Sequence, residues 1–140
     1  MLEVAFTLPV FLLLLMAILE FSLIFHLMSL TNFATTEAAR LGKTGALHGA
    51  ASREELISRT ITNTLEPWMR SGTSLEIESE SAGSFDDIGN SGAPGIGQGG
   101  ELVLYTVTFN WPVITPLFRG FFENGMVPIY ASVLVKNEDF

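Results

Sequence analysis

VAFTLPVFLLLLMAILEFSLIFHLMSL, residues 4–30, contains a single charged side chain, Glu20, and its reading decides the fold. As an α-helix rising ~1.5 Å per residue it reaches roughly 40 Å, which exceeds a ~30 Å hydrocarbon layer and leaves a margin for tilt or for projection into water. A secretory signal has an apolar region of only ~7–15 residues that ends at small side chains. The run of Leu12, Leu13, Leu14 and Leu15, followed by Phe21 and Phe25, passes that limit. The stretch therefore reads as a transmembrane helix over residues 1–30.

Outward from this anchor, composition sets the bounds. Of the 140 residues, about 30 belong to the lipid phase, so roughly 100 remain for one small domain, expected over residues 31–140. The chain carries 15 acidic against 7 basic residues, and nearly all the acids follow Thr36. Such a domain is a poor electrostatic match for nucleic acid, and no nucleic-acid partner is expected. The absence of cysteine removes disulfides, thiolate metal sites and thiol nucleophiles together.

The helix is expected to outlast the membrane. Residues 28–47 (MSLTNFATTEAARLGKTGAL) contain no proline, and Ala34, Ala38, Ala39 and Leu41 keep an apolar stripe at helical spacing. Gly42, Lys43, Thr44 and Gly45 form the expected stop, with Arg40 and Lys43 complementing the helix dipole. A second helix should begin at Ser52, which with Glu55 three residues on makes a capping box before Leu56, Ile57, Ile61, Thr64 and Leu65. It should end or kink near Glu66, because the residue before Pro67 is pushed out of the helical region.

Beyond Gly72 the period falls to two. Leu75 and Ile77 alternate with Glu76, Glu78 and Glu80, an antiparallel strand with one wet acidic face. Residues 82–100 are glycine-rich with scattered apolar side chains and read as a flexible loop. LVLYTVTFN (102–110) and VPIYASVLV (127–135) are β-branched and aromatic, and read as two more strands. Between them lie Trp111, Phe118, Phe121 and Phe122 with Pro112 and Pro116. That stretch is expected to be domain core, the alternative being an exposed apolar patch for a partner or the membrane surface. The expected fold is α+β: a long N-terminal transmembrane helix extending into a small domain in which a second helix packs on an antiparallel sheet of three to four strands.

No residue pattern supports catalysis. Gly95, Gly97 and Gly100 spell GxGxxG, but no helix opens after them, so a phosphate cradle is not expected. Asp86, Asp87 and Asn90 lack the spacing and the closing glutamate of a calcium loop. His26 and His48 have no metal-type spacing, and no Ser/His/Asp set lies beside them; His26 is placed at headgroup level. No catalytic residue, cofactor or metal is expected.

Several separated positions resemble a known family. In EVAFTLPVFLLLLMAILEF, Glu3, Pro9 and the pair Glu20 and Phe21 are similar in type and spacing to the N-terminal signature of the TadE-type pseudopilins. TNFATTEAARLGKTG, with Glu37 and Arg40, resembles the family's alanine-rich exit from the membrane, and ASVLVKNEDF, with Lys136, Asn137 and Glu138, its last strand. The resemblance implies a minor pilin or pseudopilin of the tight-adherence (Flp-type) pilus machine: no enzyme, inserted in the bacterial inner membrane with its N-terminus cytoplasmic and its domain periplasmic. Family precursors carry a basic leader that ends in glycine, and here Glu3 stands two residues short of its mature place. Either the leader is absent from this sequence or the protein starts without a processing site. Arg40 and Lys43 follow the span, so a bare positive-inside count gives the reverse orientation. The pilin reading is preferred, since a leader would supply the inside charge and Glu37 dilutes the outside flank.

Two acids carry the functional expectation. In pilins the near-N-terminal acid, here Glu3, pairs with the N-terminal amine of a neighbouring subunit; the alternative is an interfacial glutamate wetted by headgroups. An acid at the depth of Glu20 usually faces a partner, a cavity or a cation. Pro9 and Glu20 lie about 20° apart on a helical wheel, so Pro9, Leu13, Met16 and Glu20 share one face, with Phe21 beside it. That face is expected to dock on another integral membrane protein, either pilin subunits or the pilus platform, rather than only on the lipid bilayer. A different class of function remains open: a single-span accessory subunit that docks on and stabilises a larger membrane complex.

Overall fold

The computed structural model describes residues 2–44 and 49–139. The side chains of Glu3 and His48, and the whole of Gly45, lie outside the described residues. Helix α1 (Leu2–Lys43) is continuous over 42 residues, about 63 Å at the standard rise, and it runs on through Pro9. Helix α2 is Arg53–Leu65. Strands β1 (Ser74–Ala82), β2 (Ala93–Pro94), β3 (Leu102–Pro112) and β4 (Met126–Lys136) form one antiparallel sheet in the order β2-β1-β3-β4. A one-turn helix α3 (Pro116–Arg119) interrupts the β3–β4 connection. The α+β class, the second helix and the strand number are those the sequence predicts.

The two halves of α1 behave differently. Up to Leu19 its large side chains are exposed, and from Glu20 onward one face is buried through Ile24, Leu27, Thr31, Ala34, Thr35, Ala38 and Ala39. These positions recur every three to four residues, so a single stripe meets α2 and the sheet. One face of the helix is thus buried from Glu20 onward; hydropathy alone does not separate a lipid-facing residue from a core-facing one. Within the stripe Thr31 donates its hydroxyl to the Leu27 carbonyl (2.8 Å) and Thr35 to that of Thr31 (2.8 Å), which lets two polar residues be fully buried. Gly42 lies inside the helix, where a Cβ would come within 2.9 Å of both the Tyr105 hydroxyl and Ile57 Cδ1; glycine is needed for close approach, and the helix ends one residue later at Lys43.

The start of α2 is as expected: Glu55 N–H donates to Ser52 Oγ (3.1 Å), and the Glu55 carboxylate accepts from Ala51 N–H (2.7 Å). It ends at Leu65, near Glu66 as expected, but for a different reason: Glu66 keeps helical angles (φ −49°, ψ −44°) and leads into a 3₁₀ turn, Glu66–Trp68. Pro67 falls in the first turn of that segment, where its missing N–H is not required, and the chain turns extended only at Met69.

In β3 every second residue, Val103, Tyr105, Val107, Phe109 and Trp111, is buried against the helices, and β1 and β4 pair along both its edges. The 82–100 segment is tied to the rest of the domain by hydrogen bonds. Asn137 Nδ2 donates to the carbonyls of Ile96 and Gln98 (both 2.9 Å), Arg53 donates to that of Gly97 (2.6 Å), and β2 pairs with β1. The backbone partners come from remote side chains, which local composition does not reveal.

Candidate functional site

Glu20 opens the buried stripe of α1, one turn before Ile24, and is itself only 6% exposed. Its carboxylate receives three hydrogen bonds from the chain just after β3. Ile114 N–H donates to Oε1 (2.9 Å), and Thr115 donates to Oε2 through both its N–H (3.0 Å) and its hydroxyl (2.9 Å). Hydrogen bonds to a carboxylate are about twice as strong as neutral ones, and a buried acid needs such compensation. Thr115 precedes α3, and its side chain serves Glu20 rather than capping that turn. The acid at this depth thus has its partners within its own chain, 94 and 95 residues away.

The neighbourhood forms the lower end of the domain. Val113 is fully buried and its N–H donates to Gly125 O (2.9 Å), which closes the base of the 113–125 connection, while Arg119 Nε donates back to Val113 O (2.9 Å). His26 on α1 packs its ring on Trp68, with centroids 5.1 Å apart. Arg70 lies 4.2 Å over the Trp111 ring and donates to Pro112 O (2.8 Å). A shallow groove of about 310 Å³ runs along the junction, lined by Met16, Leu19, Glu20, Leu23, Ile114 and Thr115.

Pro9, Leu13 and Met16 are exposed, while Glu20 is turned to the domain. Phe21, one residue round the helix, is exposed on the other side. The stretch at 111–122 divides: Trp111, Val113 and Thr115 are buried, whereas Ile114, Leu117 and Phe121 are exposed. The spacing of Glu20 to Ile24, Leu27 and Thr31 was a usable signal for its inward position. Nothing local marked Ile114 and Thr115 as its partners. Asp87 bonds Ser84 and Ser91 within its own turn (both 3.0 Å), and among the described residues no group of three or more His, Asp or Glu is placed to hold a metal ion.

The architecture defines a class: a small α+β domain clamped to the second half of a helix that is, by length and composition, long and apolar enough to cross a membrane. The family model for TadE-like protein matches residues 1–40. Over residues 1–40 the chain is similar to TadE-like protein, and the resemblance carried by Glu3, Pro9, Glu20 and Phe21 is borne out over that stretch. The match covers α1 and not the sheet. No curated protein and no solved structure matches the chain.

Proposed function

We propose that the protein is a membrane-anchored minor pilin or pseudopilin-like component that acts by protein–protein contact in tight-adherence pilus assembly. The observation that carries this reading is the TadE-like match on the anchoring helix. In this reading the protein has no catalytic chemistry, lies in the bacterial inner membrane with its N-terminus cytoplasmic, and holds its domain in the periplasm. The basic residues after the span, Arg40 paired with Glu37 (2.6 Å) and Lys43 with Glu138 (3.7 Å), count against that orientation, and a reporter fused after Phe140 that is active only outside the cytoplasm is the expected result. The Arg40 hydrogen bond holds the Glu37 carboxyl below its ordinary range, which keeps that pair ionised.

Contact with other integral membrane proteins, pilin subunits or the pilus platform, is supported by the helix face turned away from the domain. It exposes Phe21, Phe25, Met28 and Phe33, on a segment whose opposite face is already covered. The alternative of a single-span accessory subunit would be favoured by a glycine loop that orders on a partner together with an unprocessed N-terminus. Gentle detergent solubilisation of native membranes and pull-down on a C-terminal tag should recover pilus platform, ATPase or secretin subunits. A stoichiometric, unrelated membrane complex in their place would reject the pilus assignment.

A further inference from the structure

The domain is matched in length to the second half of α1 and fixed to it at both ends. From Glu20 to Lys43 the helix rises about 35 Å, and β4, with 11 residues, extends about 36 Å. At the far end Glu138 N–H donates to Lys43 O (3.1 Å). At the near end the Glu20 carboxylate holds Ile114 and Thr115. Strand β4 therefore runs alongside α1 in the same direction, and the 113–125 connection lies at the end of the sheet where the exposed apolar half of the helix begins.

That connection presents bulky apolar side chains outward: Leu117 is 57% exposed, Phe121 81% and Ile114 41%. Arg119 stands among them, with Nε tied to Val113 O, a cation suited to lipid phosphate. Residues 6–19, whose large side chains the domain leaves exposed, lead directly into Glu20, where the buried stripe begins. The groove of Met16, Leu19, Leu23 and Ile114 joins the connection to the lipid-facing surface of the helix without a break.

We infer that residues 114–122 form a second membrane contact, a foot that sets Ile114, Leu117 and Phe121 into the boundary between headgroups and acyl chains beside the anchoring helix. The occupant is lipid, because the surface continues that of the span, and aromatic and basic side chains are favoured at this depth. Glu20 is the clamp that ties the foot to the helix and so fixes how the domain stands on the membrane. The inference rests on the membrane-spanning reading of α1.

The chain has no native cysteine, so single-cysteine variants labelled with an environment-sensitive fluorophore report depth directly. The full chain, reconstituted into phosphatidylcholine–phosphatidylglycerol vesicles, would be labelled at Phe121→Cys, at Leu117→Cys, at Leu13→Cys in the span and at Ser84→Cys at the far end of the sheet. The expected result is quenching of the Phe121, Leu117 and Leu13 labels several-fold more by lipid-borne than by aqueous quencher, with the reverse at Ser84. Aqueous quenching at both Phe121 and Leu117 with lipid quenching at Leu13 overturns the foot and leaves the span standing. Aqueous quenching at Leu13 as well overturns both. Because Leu117 and Phe121 are exposed, neither variant removes a packed side chain, and agreement between them guards against a local effect.

Discussion

The first and second halves of α1 are one unbroken helix solvated in two ways. Residues 2–19 expose Phe6, Leu8, Phe11, Leu14 and Leu19 all round the helix, whereas residues 20–43 bury a single stripe that shrinks from Ile24 and Leu27 to Thr31, Ala34, Thr35, Ala38, Ala39 and Gly42. The change from large aliphatic to small residues marks where the helix stops being exposed and begins to face its own domain. Small residues let α2 and the sheet come close. Mean hydropathy passes over this boundary because Ile24, Phe25 and Leu27 score alike although their surroundings differ.

The same substitution in each half tests the comparison most strongly. Leu27 is fully buried in the core with Ile24, Ile61 and Ile129, and Leu27→Ala should destabilise the domain by about 4 kcal/mol through lost burial and the cavity left behind. Leu13→Ala should leave domain unfolding unchanged, since Leu13 touches no part of the sheet layer. Unfolding in detergent followed by tryptophan fluorescence reads both, and equal shifts would break the distinction.

A smaller effect is expected at the junction. Glu20→Ala leaves the Ile114 and Thr115 amides and the Thr115 hydroxyl without their acceptor. Hydrogen bonds to charged groups contribute roughly 1.5–3 kcal/mol each, but water can take over part of this at an interface, so a loss of about 2–3 kcal/mol is expected. Hydrogen exchange sharpens the assignment: the Ile114 and Thr115 amides should lose protection in Glu20→Ala, while those of β3 keep theirs. Unchanged exchange at 114 and 115 would reject the clamp.

Much of this arrangement was legible in the sequence. The period-two alternation of residues 102–110 and the Ser52 and Glu55 cap are local signals, and local signals survive folding. The length of the apolar helix was equally plain, but the point from which one of its faces is buried was not. The inward stripe of α1 continues back to Glu20, and only the packed domain shows which apolar residues belong to it. The clamp escaped for a different reason. Ile114 is an exposed apolar residue and Thr115 an ordinary turn residue, and their role comes from two backbone N–H groups, which every non-proline residue carries. The ties of the 82–100 segment to Asn137 and Arg53, far off in the chain, were hidden in the same way.

The smallest effect lies at the upper end of the packed half, where Tyr105 meets Gly42. The Tyr105 side chain is almost wholly buried, and its hydroxyl has no hydrogen-bond partner among the described residues. Burial pushes its phenol above the ordinary range, opposed in part by the positive charge of Arg53. A group whose folded value is raised binds its proton more tightly in the folded state. Its contribution is therefore fully present below the ordinary value near ~10 and is lost as pH climbs through the raised folded value. Tyr105→Phe removes both the orphaned hydroxyl and the titration. Near neutral pH the variant should differ from the parent by less than about 1 kcal/mol, because the loss of an unsatisfied polar group offsets the small change in packing. Above pH ~10 the parent should lose stability relative to the variant by up to ~1.4 kcal/mol per pH unit until the folded phenol also ionises. Parallel unfolding curves from neutral pH to pH ~11 would show that this hydroxyl reaches water in the folded state, and that α1 is less tightly seated at Gly42 than at Leu27.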